Sequence, residues 1–297
     1  MTTRFSLDRN YTNILRGLAM AFIMLQHSIG GPFSVMPGVA IFIFLSGFGN
    51  NESFLKKSHW GGQHLLKIAI PYWIVRLALL IYYGGTSDWK TLLLDLTFIK
   101  IQSVYWFVAY LMKWYVAYWI GVNLLYKYRW YFWVVLSILS FFLLDTLAAE
   151  NSFCFILGIA ASENKDKLYG LSNKTIIISS AVLLLISAIS ILLYLQPTVR
   201  NVEMLYTLTH TTARLPMSLA IVGLVWLIRP LCKSRILLFM APITYELYLV
   251  HMKALNVLNK TSVLTYSYSM ALFIAISFAG AVLLNKLNKS ILNFILR

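Results

Sequence analysis

Long apolar runs separated by short polar connections set the pattern of this chain from residue 13 onward. A helix needs about 20 mostly apolar residues to cross the hydrocarbon of a bilayer. On that template ten runs read as spans: 13–30, 35–49, 64–83, 104–126, 130–148, 152–161, 175–195, 209–228, 236–258 and 266–287. The second and sixth are short for the task. Between the third and fourth, residues 88–103 are interrupted by Asp95 and Lys100 and read as an interfacial or re-entrant segment. The first run lacks a small-residue cleavage site before it, so it is expected to act as its own uncleaved insertion signal. No internal repeat and no soluble domain stands out. The expected fold is an all-α membrane protein with about ten transmembrane helices, one domain over residues 1–297.

Composition supports lipid as the solvent. Hydrophobic types make up 60% of the chain and charged types 12%, against roughly 45–50% and about 25% in soluble domains. A single soluble core cannot grow large enough to bury that excess. Two cysteines, Cys154 in an apolar run and Cys232 in a basic loop, argue against a disulfide framework. The net charge of +15 is placed between the runs, so it points to topology and not to nucleic acid. With the N-terminus inside, about sixteen cations from Arg4 to Arg297 face the cytoplasm. Only Lys90, Lys100, Arg200, Lys253 and Lys260 face out. The expected topology is therefore N-in, C-in, and the expected location the cell membrane. Trp60, Trp89, Trp130 and Trp133 fall near span ends, as interfacial belts require.

Four cations remain inside the runs: Lys67, Arg76, Lys113 and Arg214. Ionisable groups in hydrocarbon normally face a polar interior, or snorkel when they are close to a helix end. Lys67 and Arg214 are near enough to the ends for either, whereas Arg76 and Lys113 sit deeper and suit a cavity. Glu246 and His251 in the ninth run also need a reason. The sharpest pairing is Arg16 with His27. Eleven residues of α-helix turn through about 1100°, so both side chains share one face, roughly 16 Å apart along the axis. An arginine fork suits phosphate, and a neutral imidazole suits proton removal from a hydroxyl. A packing histidine and a topology-anchoring arginine are the plainer alternatives.

Arg16, ten residues, then His27, with Gly17 and Ala19 between them, resembles the signature of the acyltransferase-3 family of integral-membrane acyltransferases. The run from Val39 to Phe48, ending Leu45-Ser46-Gly47-Phe48, is similar to its aromatic-rich Leu-Ser-Gly-Phe segment. So are Tyr105-Trp106-Phe107 to its Trp-aromatic-Leu segment and Tyr245 to His251 to its late Tyr-x-x-Tyr-Leu-x-His run. Lys67 stands four residues before Pro71, where the family often has arginine. Asn13 replaces a common aspartate, Ala109-Tyr110 a glutamate found in some members, and Glu246 a small polar residue.

The resemblance implies a bundle of about ten helices that moves an acyl group, commonly acetyl, from coenzyme A to a hydroxyl. The acceptor is often a sugar of the cell envelope, either a saccharide or a lipid-linked sugar. On that reading acetyl-CoA is a donor substrate, with no tightly bound cofactor and no metal. Arg16, Lys67 and Arg76 would contact the donor, with Lys56 and Lys57 as a collecting field. His27 would be the general base, with an acyl-histidine relay left open. Ser46, Trp106, Tyr248 and His251 are candidates for acceptor or oxyanion contacts. Two other classes compete. A transporter of an anionic or lipid-linked sugar predicts inverted repeats, and a scaffold predicts no turnover.

Overall fold

The computed structural model describes residues 5–29, 36–57, 61–82, 84–85, 88–229, 235–260 and 266–295, with 259–260 and 266–268 described by backbone alone. Arg4, Trp60, Cys232, Lys233, Arg297 and the Lys260 side chain therefore lie outside the described residues. All regular structure among the described residues is helical. In chain order the helices are α1 (Arg9–Ile29), α2 (Gly38–Lys57), α3 (Gln63–Tyr82), α4 (Trp89–Leu96), α5 (Trp106–Asn123), α6 (Arg129–Leu143), α7 (Thr146–Ala149) and α8 (Cys154–Glu163). Then follow α9 (Lys165–Tyr169), α10 (Asn173–Tyr194), α11 (Pro197–Arg200), α12 (Glu203–Leu227), α13 (Arg235–Met240), α14 (Thr244–Lys260) and α15 (Tyr266–Ile295).

Three of them are long and apolar enough to cross a membrane: α3, α10 and, over Ser269–Ile295, α15. Several of the other expected spans are shorter or more polar than the apolar runs suggested. The run 130–148 stops at Leu143, and Asp145 caps α7 by accepting from the Ala148 amide at 3.2 Å. The run 236–258 breaks into α13 and α14 at Ala241–Ile243. Pro242 lies in that break; it has no amide to donate and its ring crowds the preceding turn. Residues 88–103 do fold as an interruption, holding only the two-turn helix α4, which Asp88 caps.

The helices fall into two compact units that interleave along the chain, residues 1–60 with 121–241 and residues 61–120 with 242–297. In the first unit the closest pairs are α10 with α12 and α2 with α8. Glycines make the α2–α8 crossing. A Cβ on Gly47 would overlap the Phe155 carbonyl oxygen, and one on Gly158 would overlap that of Phe44. Small residues that let backbones meet are the usual means of helix association in lipid. The ten residues of α8, in the short sixth run, rise about 15 Å, and Cys154, Phe155 and Ile159 on it are fully buried. Beyond the crossing, Lys165 holds Glu52 at 3.0 Å and Ser162 donates to the same carboxylate at 2.8 Å. Phe5, Tyr11 and Trp226 stack edge to face, with centroids 5.2–6.3 Å apart, and Tyr11 donates to the Val222 carbonyl. Trp133, expected in a belt, is fully buried with its indole over Gly121.

In the second unit α14 packs on α15, and both contact α3. Glu246 supplies the reason for its own burial: its carboxylate accepts from Asn285 at 2.9 Å and Asn288 at 3.2 Å on α15. That clamp satisfies a charge which would otherwise be costly to bury.

Candidate functional site

α1 is continuous from Arg9 to Ile29, so Arg16 and His27 stand along one side of it, roughly 16 Å apart. Arg16 is half-buried and reaches α2, its Nη2 lying 3.8 Å from where a Cβ on Gly49 would stand. That distance is ordinary van der Waals contact. Next to Arg16 in sequence, a Cβ on Gly17 would stand 2.6 Å from the Leu237 carbonyl oxygen, so the backbones of α1 and α13 meet closely there. Ser46 is half-buried on α2, one turn before Asn50, whose amide donates to the Ser46 carbonyl at 2.9 Å. His27 occupies the last turn of α1 and is exposed. The first unit therefore contains Arg16, His27 and Ser46, with Arg16 reaching α2 at Gly49, three residues after Ser46.

The second unit contains Lys67, Arg76, Trp106, Tyr248 and His251. Lys67 is exposed near the start of α3, as is Lys113 on α5, which was expected in a cavity. Arg76 is buried, and both its Nε and Nη2 pair with Asp95 on α4. Tyr72, one turn before Arg76, donates to the other oxygen of the same carboxylate. The backbone holds Asp95 in place. Phe98 and Ile99 donate back to the Asp95 and Leu94 carbonyls, and Phe98 takes the left-handed conformation at φ 61° that closes a Schellman turn. Glycine usually fills that position, because a side chain there costs about 1–2 kcal/mol. Here the buried Phe98 ring is retained against Tyr72, centroids 5.1 Å apart. Tyr72 in turn meets Tyr105 edge to face at 5.6 Å, and the Lys253 ammonium lies 6.0 Å from the Tyr105 ring centroid.

His251 is fully buried on α14, and its Nδ1 lies 2.7 Å from the Tyr248 carbonyl oxygen. A carbonyl only accepts, so Nδ1 carries a proton. Tyr248 donates to the Val104 carbonyl at 3.2 Å and packs edge to face on Phe107, while Trp106 is half-buried beside it in sequence. The sequence reading missed Asp95 as the partner of Arg76. The available signal was the buried arginine itself, which requires a carboxylate within reach.

A further charged group in the first unit was not anticipated. Glu150, which follows α7, is 1% exposed and pairs with Arg214 on α12. His210, one turn before Arg214, brings Nδ1 to 3.2 Å from the second carboxylate oxygen. Its ring lies between Tyr194 and Tyr206, each 4.4 Å away. Arg214 therefore has a structural ion partner, and the end-of-helix snorkelling position is not what it occupies. Among the described residues no group of three or more His, Cys, Asp or Glu could hold a metal ion.

Residues 9–296 match the family model described as an acyltransferase domain, that of the acyltransferase-3 family. No curated protein and no solved structure matches the chain.

Proposed function

The chain belongs to the acyltransferase-3 family and is a membrane acyltransferase; from that premise we propose the specific reaction and the residues that carry it. The donor is cytoplasmic acyl-CoA, acetyl-CoA in the first instance, and the acceptor is a hydroxyl of a cell-envelope saccharide or lipid-linked sugar. The protein sits in the cell membrane as a multi-pass bundle of about ten helices with both termini inside. The observation that carries this reading is the Arg16 guanidinium held over Gly49, with His27 on the same side of an unbroken helix.

Coenzyme A is long and multiply anionic, so its phosphates need cations where the donor enters. Arg16 offers a planar fork suited to phosphate oxygens. Lys56, Lys57 and Lys67, all exposed, add to the positive field that collects such a donor. The pantetheine arm spans the roughly 16 Å from Arg16 toward His27. His27 removes the acceptor proton as the hydroxyl oxygen attacks the thioester carbonyl. The tetrahedral intermediate then expels the coenzyme A thiolate, which takes the proton back from the imidazolium. Ser46 is the first-unit candidate for an oxyanion donor. In the second unit, Tyr248, His251 and Trp106 are proposed as acceptor contacts. Arg76, already paired with Asp95, is assigned a structural part there ahead of donor binding.

Purified protein incubated with radiolabelled acetyl-CoA tests the reading. Transfer to a saccharide acceptor, or slow donor hydrolysis that His27→Ala removes, is the expected result. Flux of a lipid-linked sugar across proteoliposomes without donor turnover would replace it with a transporter, and neither activity would leave a scaffold.

A further inference from the structure

The first unit contains a cavity of about 400 Å³ that none of the chemistry above uses. It lies among α2, α8, α10 and α12, and its walls include Phe44, Leu157, Leu168, Leu183 and Leu219, with Phe5 at one end. Three polar side chains line it, and each already donates to a helix carbonyl: Asn164 to Ala160 at 3.0 Å, Ser179 to Ile176 at 3.2 Å and Ser180 to Ala220 at 3.4 Å. The occupant must therefore be apolar along its length. An apolar cavity of ~150 Å³ takes up benzene and stays dry, so on volume alone this one has room for about 16 carbon atoms.

Cations adjoin the lining in sequence. Lys167 adjoins the wall residue Leu168, and Lys174 stands two residues before the wall residue Ile176. Both are exposed, and neither forms an ion pair among the described residues. Nearby charges partly cancel: Lys165 is held by Glu52 and Glu163 by Arg129, which leaves Asp166 as the opposing acid on that stretch. Arg229 adds to the positive side, stacked 3.5 Å over Trp226, which itself packs on Phe5. An apolar cavity with the volume of an acyl chain, adjoined by a net positive set of side chains, is complementary to one kind of molecule in a bilayer.

We propose that this cavity binds one acyl chain of an anionic phospholipid, whose headgroup phosphate lies against Lys167 and Lys174. The site is separate from acyl transfer and does not depend on which hydroxyl is acylated. The lipid wedges α8 and α9 against α10 and α12, so it holds the outer wall of the α2–α8 crossing.

The experiment uses the whole protein reconstituted in vesicles of equal phosphatidylglycerol and phosphatidylcholine, the former carrying a diazirine in mid-chain. After irradiation, the label is expected on peptides of α2, α10 and α12 that line the cavity. Native mass spectrometry is expected to retain one phosphatidylglycerol. Leu183→Trp and Ala160→Phe, which fill the cavity from opposite walls, should each lower retention at least fivefold in protein that stays monodisperse. Lys167→Glu combined with Lys174→Glu should keep a bound lipid but abolish the preference for phosphatidylglycerol. Label spread over lipid-facing surfaces alone, or equal retention in both filling variants, would overturn the proposal. So would displacement of the lipid by palmitoyl-CoA, which would assign the cavity to a long-chain donor.

Discussion

Removing Arg214 strands a charge in the first unit. Glu150 is 1% exposed and the Arg214 side chain 11%, so neither partner recovers water when the other is lost. In Arg214→Met the carboxylate retains only His210, 3.2 Å from its second oxygen. Two routes give the size of the effect. Coulomb's law at ~3 Å with an effective dielectric of 20 gives about 5 kcal/mol for the pair, and breaking a buried ion pair by deleting one partner costs about 3–5 kcal/mol. For a unit of this size that corresponds to a fall of roughly 6–20 °C in apparent Tm. The Glu150→Gln, Arg214→Met double variant leaves no buried charge, and such replacements are often neutral. It should return to within a few degrees of the parent. The assay is the temperature at which half the protein loses its monodisperse chromatographic peak in detergent. An Arg214→Met variant as stable as the parent would refute the reasoning. So would a double variant that falls as far as the two single changes combined, because the loss would then be one of packing and not of an uncompensated charge.

His27→Ala should lower acyl transfer by about 10²–10⁴-fold while the protein stays monodisperse; retention of more than a tenth of the rate would remove the histidine from catalysis. Arg16→Lys keeps the charge and loses the fork, so the KM for acyl-CoA should rise roughly tenfold with kcat little changed, and steady-state kinetics separates that from loss of kcat alone. Gly158→Ala forces a methyl group against the Phe44 carbonyl oxygen, which cannot swing aside as a side chain would. It should cost about 1–3 kcal/mol, read in the same thermal assay, while Gly62→Ala, with open space at its Cβ, should cost little. In a Cys232→Ser background, an impermeant thiol reagent outside the cell should label Thr198→Cys and spare Lys167→Cys; the reverse pattern would invert the topology.

The elements readable from sequence were those set by local hydropathy. The first, third, seventh and tenth runs correspond to α1, α3, α10 and α15 within a few residues at most ends, because a continuous apolar stretch leaves the backbone few alternatives in lipid. What local pattern could not carry was partnership. Arg76 looked like a donor contact until Asp95, 19 residues on, came to meet it. Glu150 and Arg214 are 64 residues apart, and Glu52 and Lys165 are 113. Nothing within a 20-residue window distinguishes such a pair from two unrelated charges. The break at Pro242 was readable in principle, yet Pro71 and Pro216 sit inside unbroken helices. Proline alone does not decide; what surrounds the interrupted ladder does. Of the proposed site, the Arg16–His27 spacing was visible in the sequence, but the approach of Arg16 to Gly49 required the fold.

The glycine crossing of α2 and α8 also has a bearing on how the chain is made. Its two halves are separated by about a hundred residues, which at ribosomal rates is roughly 5–20 s of synthesis. Throughout that interval α2 is complete, with Gly47 and the amide and carboxylate of Asn51 and Glu52 waiting for a helix still inside the ribosome. A stripe of bare backbone beside polar groups, in hydrocarbon, is a surface that insertion machinery or a chaperone must shield. Delays between residues 57 and 154, through rare codons or slow elongation, would lengthen that exposure and leave the finished protein unaltered in sequence but poorer in yield.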